Sequence, residues 1–236
     1  MDRATQQKFA TKQTQRRPAV RVARRPQTRL ADSRNRREAI LKVATRLFLE
    51  EGYGAATTNE LVARVGGSKS TIYSHFENKE KLFGAVVDHV LAQLKAATGR
   101  FGAPCGDVQQ QLCALGEGLL EIVLSKDHIA LARMVIGESH RFPEIGAIYH
   151  EHGPVLAQEG VVTFLLEHQV MPMAGTAEVD EAAEWFTGRL IHRAFIRALC
   201  GPATGLQHSD EAARIARETA ESFIRYFARP AAGGAK

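Results

Sequence analysis

Cysteine is scarce in this sequence. Three stand among 236 residues, at Cys105, Cys113 and Cys200. They are too few and too scattered for a disulfide framework, and they suit a reducing compartment. None has a basic cluster beside it in the sequence to activate a thiol, so a redox switch is not expected. Long apolar runs are missing as well. None approaches the ~18 residues that span a bilayer, and the charged N-terminus lacks the apolar core of a secretory signal. These absences predict a soluble, cytoplasmic protein with no membrane partner. Strand-like alternation and Asn-Gly or Asp-Gly hairpin turns are also wanting, while helical spacing recurs throughout, so the fold class is all-α. The length allows two helical sub-domains with a real core.

Catalytic signatures are lacking too. There is no Ser-His-Asp elbow, no phosphate-cradling glycine loop and no paired metal motif. Neither an enzyme nor a cofactor is expected. Nine histidines are present, and His140, His150, His152, His168 and His192 fall in one half of the chain. No two of them share a helix face at i, i+4, and no Cys or Asp completes a set, so no metal site is expected.

Basic charge is present and is unevenly spread. Residues 1–37 hold twelve Lys or Arg against two Asp, leaving nineteen basic and twenty-four acidic residues for the rest. A basic arm on a mildly acidic body suggests phosphate contacts and salt-sensitive binding. The arm, residues 1–32, has almost no large apolar groups and reads as disordered in the free protein. Arg34, Arg36 and Arg37 follow it at the start of the first helix, where they would face phosphates.

The stretch Thr57 to Phe76, TTNELVARVGGSKSTIYSHF, organises the chain. Thr57 is a natural N-cap, and Glu60 three residues on completes a capping box. Leu61, Val62 and Val65 make one apolar side. Gly66 and Gly67 then allow a sharp turn. Ser68 caps a second helix, on which Ile72 and Phe76 face the core, while Lys69, Ser70, Thr71, Tyr73 and His75 carry hydrogen-bonding groups. Two short helices about a glycine turn describe a helix-turn-helix, whose second helix enters the DNA major groove.

The segment Ile40 to Leu91 closely resembles the DNA-binding domain of TetR-family transcriptional regulators. The resemblance rests on I-L-x-x-A-x-x-L-F at Ile40 to Phe48, G-Y at Gly52–Tyr53 and A-T-T-x-x-x-L-V-A at Ala56 to Ala63. It continues in G-x-S-K-S-T-I-Y-S-H-F at Gly66 to Phe76 and N-K-E-x-L-F at Asn78 to Phe83. One departure is Gly67, where the family usually carries a branched apolar residue; a looser turn is expected there. The second half resembles the family less, although R-M-V-I-G-E-S-H-R-F-P-E-I, Arg133 to Ile145, with Gly153–Pro154 after it, looks like the AefR-like subgroup.

The resemblance implies an N-terminal three-helix helix-turn-helix domain and a C-terminal helical ligand-binding and dimerisation domain. The expected divisions are 1–32 for the arm, 33–94 for the DNA-binding domain, 95–229 for the C-terminal domain and 230–236 for a frayed tail. Within them, helices are expected to begin near Ser33 to Asn35, with an Asn35–Glu38 box, and at Asn78. Others should run over about 107–125, and over 128–140 with Asp127 as cap. A short helix, about 144–150, should end at a Gly153–Pro154 break that starts another reaching 170. Two long helices, about 179–199 and 210–228, close the chain.

The implied partners are double-stranded DNA, a second copy of the chain and a small-molecule effector. The resemblance makes Tyr73, His75 and Lys79 phosphate contacts, with Thr57 holding the other strand. Ser68, Lys69, Ser70 and Thr71 face the groove, Lys69 toward guanine and Thr71 toward a thymine methyl. A ligand cavity between the C-terminal helices would draw on Met134, Tyr149, Phe164, His168, Trp185, Arg189 and His192. That set suggests a flat or apolar, even aromatic, ligand with an acidic group for an Arg. In the family the final two helices build the dimer, placing Phe186, Leu190, Ala194, Phe223 and Phe227 at its interface. The expected function is a ligand-responsive repressor on a near-palindromic operator. The alternative is a sequence-tolerant architectural DNA-binding protein of the same fold, which the basic arm favours.

Overall fold

Apolar residues at helical spacing become helices throughout the part of the chain that a computed structural model describes, residues 26–92, 106–201 and 209–227. These divide into two units. The first, up to Asn35, contributes the opening turns of α1, and the second, from Arg36 onward, holds everything else. In order, the elements are α1 (Pro26–Glu51), α2 (Thr58–Val65), α3 (Lys69–Tyr73), α4 (Lys79–Val90), α5 (Val108–Val123), α6 (Lys126–Glu138) and α7 (Pro143–His150). A π-turn (Glu151–Val155), α8 (Leu156–Glu167), α9 (Thr176–Cys200) and α10 (Ser209–Tyr226) complete them. Among the described residues there is no strand, and no helix is long and apolar enough to cross a membrane. Most of the arm, the loop around Gly99 and Pro104, Leu94, Cys105 and the C-terminal tail lie outside the described residues.

Side-chain caps decide where most of these helices start. Thr57 Oγ1 accepts from the Glu60 N–H at 3.2 Å, Ser68 Oγ from Thr71 at 3.2 Å and Asn78 Oδ1 from Lys81 at 2.7 Å. Asp107 and Gln110 cap each other reciprocally at 2.8 and 3.1 Å. Each such cap contributes on the order of 1 kcal/mol by answering an amide the helix leaves unpaired.

Four boundaries differ from the sequence reading. Helix α1 begins at Pro26, not near Ser33, because proline suits a first helical position. Asn35 therefore lies inside the helix, and Glu38 pairs with Lys42 at 2.9 Å instead of boxing a cap. Glu60 does not complete its box either; its carboxylate lies 3.9 Å from Arg64. The cap of α6 is Ser125, which accepts from the His128 N–H at 3.3 Å, and Asp127 falls in the first turn, where its charge suits the helix dipole. The expected break at Gly153–Pro154 is absent. The chain stays helical from Pro143 to Glu167 by widening into one π-turn around Pro154. A wider turn accommodates a residue that lacks an N–H and whose ring would strike the carbonyl four residues back.

The DNA-binding half packs α1, α2, α3 and α4 around Ile40, Leu47, Phe48, Leu61, Ile72, Phe76 and Phe83, all at or below 4% exposure. Phe83 meets Phe48 and Tyr53 edge-on at 5.7 and 5.3 Å. In the C-terminal half α5 lies along α10. Gly116 permits the approach, since a Cβ there would stand 3.2 Å from both Ala216 and Leu190. Arg133 ties α6 to the end of α9: its guanidinium donates to the carbonyls of Ala198, Leu199 and Gly201 at 2.7, 2.9 and 2.6 Å. A cation there answers carbonyls that a helix C-terminus leaves unpaired.

Candidate nucleic-acid interface and ligand cavity

Helix α3 is short, and Ser68 sets its start. Ser68 Oγ lies 2.7 Å from Ser70 Oγ and 3.0 Å from Thr71 Oγ1, besides accepting the Thr71 N–H. Ser68, Lys69 and Ser70 are exposed and Thr71 is half-buried. Ile72 and Phe76 turn inward, 2% and 4% exposed, and anchor the helix to the core. Tyr73 is 42% exposed, and its hydroxyl lies 2.9 Å from Thr58 Oγ1 on α2. His75 is half-buried just past the end of α3. Thr57 is exposed and caps α2.

Three basic residues hold the domain together. Arg36 donates to the carbonyls of Val65, at 3.4 Å, and Gly66, so the glycine turn is pinned rather than loose. Gly67 has φ +98°, which side-chained residues rarely adopt, and a Cβ on it would stand 2.8 Å from Arg36 Nη2. The glycine that departs from the family pattern is thus matched to this arginine. Arg37 stacks its guanidinium 4.9 Å over the Phe76 ring. Lys79 directs its ammonium to the Tyr53 carbonyl and lies 4.4 Å from the centre of the Tyr53 ring. Burial lowers the Lys79 pKa against the pull of Glu138 and Glu144, and burial raises that of Tyr53 to about 12. The sequence alone placed Arg36 and Lys79 against phosphates and gave no sign of these inward partners.

A cavity of about 310 Å³ opens in the C-terminal half. It is lined by Val123 and His128, by Tyr149, Gly153, Pro154, Ala157 and Gln158, and by Thr187, Gly188, Ile191, His192 and Phe195 of α9. Its volume is in the range of small-molecule sites. Of the residues expected there, Tyr149 and His192 line it and the other five stand elsewhere. Phe164 is buried under His168, ring centres 4.2 Å apart. Met134 packs on the core. Trp185 belongs to an aromatic cluster with Phe223, Tyr226 and Phe227, at 6.2, 6.0 and 5.4 Å. Arg189 is on the surface beside Arg193 and Arg197. The α9 lining residues 187, 188, 191, 192 and 195 share one face, a spacing the sequence displays, while Trp185 and Arg189 lie on other faces of that helix.

His128, which the sequence did not single out, also lines the cavity. It is 3% exposed, its Nδ1 lies 2.6 Å from the Val123 carbonyl and its Nε2 2.9 Å from Tyr149 Oη. The imidazole stacks against both Tyr149 and Phe195, each ring centre 5.7 Å away. Burial lowers its pKa, and burial also raises that of Tyr149. Both groups are therefore neutral near pH 7.

The π-turn touches both halves. Gly153 and Pro154 line the cavity. His152, next to them, holds Asp88 of α4 at 2.8 Å. Elsewhere, Phe186, Leu190, Ala194 and Phe223 are each at most 3% exposed within a single chain, where they belong to its own core, Phe186 and Phe223 ring edge to face at 5.6 Å. As single-chain core residues they offer a partner little surface; Phe227 is half-buried. Cys113 is half-buried, and burial and Glu117 raise its pKa, so its thiol is not activated.

Residues 40–86 match the family model described as bacterial regulatory proteins of the tetR family. Residues 110–229, half of the chain, match the C-terminal domain of the AefR-like transcriptional repressors. Among curated relatives, the HTH-type transcriptional repressor AcnR of Corynebacterium efficiens is 30% identical over 52% of this chain and 60% of its own length. The HTH-type transcriptional regulator QacR of Staphylococcus aureus is 47% identical over 21% of this chain and 26% of its own. The chain thus spans less than two thirds of either relative. A putative TetR-family transcriptional regulator from Mesorhizobium loti superimposes with a TM-score of 0.69, covering 82% of this chain and 96% of its own at 23% identity, a likeness of fold.

Proposed function

This chain belongs to the TetR family of DNA-binding transcriptional regulators, and from that premise we propose that it is a ligand-responsive repressor that binds a near-palindromic operator as a two-fold dimer. The observation that carries the reading is the π-turn. One side of it walls the cavity and the other reaches α4 through His152 and Asp88. A molecule that enters the cavity pushes on the turn, and the turn moves the helix that leads out of the DNA-binding half. By linkage, operator DNA weakens effector binding by the same factor that effector weakens DNA binding.

On DNA, Ser68, Lys69, Ser70 and Thr71 meet base edges, and Tyr73, His75 and Thr57 meet phosphates. Lys79 joins them once its ammonium leaves Tyr53. The dimer forms on the outer faces of α9 and α10. Ile196 and Tyr226, 47% and 65% exposed there, supply apolar area that the single chain leaves open.

The test is a footprint of the purified protein on DNA flanking its own gene. The expected result is a protected inverted repeat whose affinity drops, by about tenfold, with relaxed preference at the contacted base pair, in Lys69→Ala. Uniform protection without sequence preference, or a monomer at the protein concentrations that protect, overturns the reading.

A further inference from the structure

The hydrogen bonds around the cavity have fixed directions, and these directions select a ligand. A carbonyl oxygen only accepts, so the 2.6 Å contact to Val123 places a proton on His128 Nδ1. In a neutral imidazole Nε2 is then bare and accepts, and the Tyr149 hydroxyl, 2.9 Å away, must donate to it. Tyr149 Oη has given up its only proton and offers the cavity lone pairs alone. Thr187 is in the same state. Its hydroxyl donates to backbone carbonyls of its own helix, Ala183 at 3.0 Å or Glu184 at 3.1 Å, which leaves Oγ1 an acceptor. Two lining hydroxyls are thus unable to donate to anything that enters.

The rest of the lining carries no fixed charge: none of its residues is Asp, Glu, Lys or Arg, and its remaining polar side chains are Gln158, which can both donate and accept, and His192, which is exposed at the rim. A carboxylate or ammonium ligand would give up its hydration without a counter-charge to replace it. The acidic ligand group suggested by Arg189 has no partner here, because that side chain is at the surface. The wall that remains is aromatic: the Tyr149, His128 and Phe195 rings stack on one another, 18° and 26° apart, and Tyr149 and Phe195 leave ring surface or edges to the cavity. Such rings favour an aromatic guest, offset-stacked or edge-on.

We infer that the cavity takes an uncharged aromatic molecule bearing at least two O–H or N–H donors, of the diphenol class, which donates to Tyr149 Oη and Thr187 Oγ1. The inference rests on the reading of this cavity as the effector site. It adds the sign of the hydrogen bonds at Tyr149 and Thr187 and the absence of a fixed counter-charge, which together favour such a molecule over aromatic acids, aromatic cations and plain hydrocarbons.

Three two-ring probes of similar size test it by calorimetry on the full-length protein: dihydroxybiphenyl, dimethylbiphenyl and biphenyl carboxylate. Dihydroxybiphenyl should bind at least about tenfold tighter than either of the others. Tyr149→Phe and Thr187→Val should each lower its affinity by about threefold or more, leaving that of dimethylbiphenyl unchanged. Thr187→Val keeps shape and leaves no buried group unpaired, so it guards against a fold defect in the other variant. The inference is overturned if the dimethyl or carboxylate probe binds as tightly, if dihydroxybiphenyl does not bind, or if both variants hold it like the parent. Operator binding measured alongside separates the two claims. A diphenol that binds by these rules and leaves the operator occupied supports the cavity chemistry and ends the effector reading. A carboxylate that binds this cavity and releases the operator does the reverse.

Discussion

Glu138 and Tyr53 join the two halves of the molecule: the Tyr53 N–H donates to Glu138 Oε1 at 2.9 Å. The Gly54 N–H donates to the other oxygen at 2.6 Å, so one carboxylate at the end of α6 answers both amides of the turn that follows α1. Phe142, from the next connection, meets the Tyr53 ring edge-on at 5.2 Å. Glu138→Ala removes both acceptors and leaves a part-buried amide bare. We expect it to cost about 2 kcal/mol in urea unfolding, with Glu138→Gln intermediate, as hydrogen bonds to a charged group are worth more than neutral ones. An unchanged midpoint for the alanine variant would show that the clamp does not contribute.

The second junction is His152 with Asp88. His152→Ala should leave operator affinity near the parent value when no effector is present, because neither residue is in the helix-turn-helix. The factor by which effector weakens operator binding should shrink by about threefold or more, within the usual range for residues that carry coupling. Fluorescence anisotropy on operator DNA, with and without effector, measures it. An undiminished factor would route the signal elsewhere.

His128 gives stability a dependence on acid. Burial disfavours its charged form, so the folded pKa lies below the ordinary 6.5. An unfolded imidazole takes up a proton as pH falls past 6.5 while the folded one still refuses it. The contribution of this residue is therefore complete above that pH and is lost progressively below it. Melting temperature against pH should fall more steeply for the parent than for His128→Gln on the acid side. Parallel curves would mean that this histidine is not what titrates.

Thr219 is 1% exposed on α10, and its hydroxyl has no hydrogen-bond partner among the described residues. Thr219→Val keeps the shape and removes a polar atom that folding strips of water. A gain of about 1 kcal/mol is expected, seen as a rise in melting temperature. A loss of stability would point to a partner for that hydroxyl in the folded protein.

The helix-turn-helix was legible because local rules fix it. A cap, an apolar spacing and a glycine pair each act within a few residues, and Thr57, Ser68, Ile72, Phe76 and Asn78 stand as the pattern requires. Roles that depend on distant neighbours were not legible. Arg36 is an arginine at the start of a basic-flanked helix by sequence and a brace for the Gly66–Gly67 turn by contact. His128 carries no mark in sequence, since what holds it in the cavity wall is a carbonyl five residues back and a tyrosine from another helix. The interface residues read from α9 and α10 were apolar and correctly helical. Spacing alone does not say whether such a face meets another chain or, as for Phe186, Leu190, Ala194 and Phe223, the core of its own.

Pro154 fixes the winding of the helix around it. It has no amide hydrogen, and in a regular α-helix its ring would strike the carbonyl of His150, so the widened turn cannot anneal into the ladder on either side. With alanine at 154 nothing in that residue would bar the regular winding. With proline only the widened one survives. The opening that Gly153 and Pro154 border is thus cast in covalent structure before any guest arrives. A guest then spends its binding energy on displacing this wall as a block, not on choosing its form.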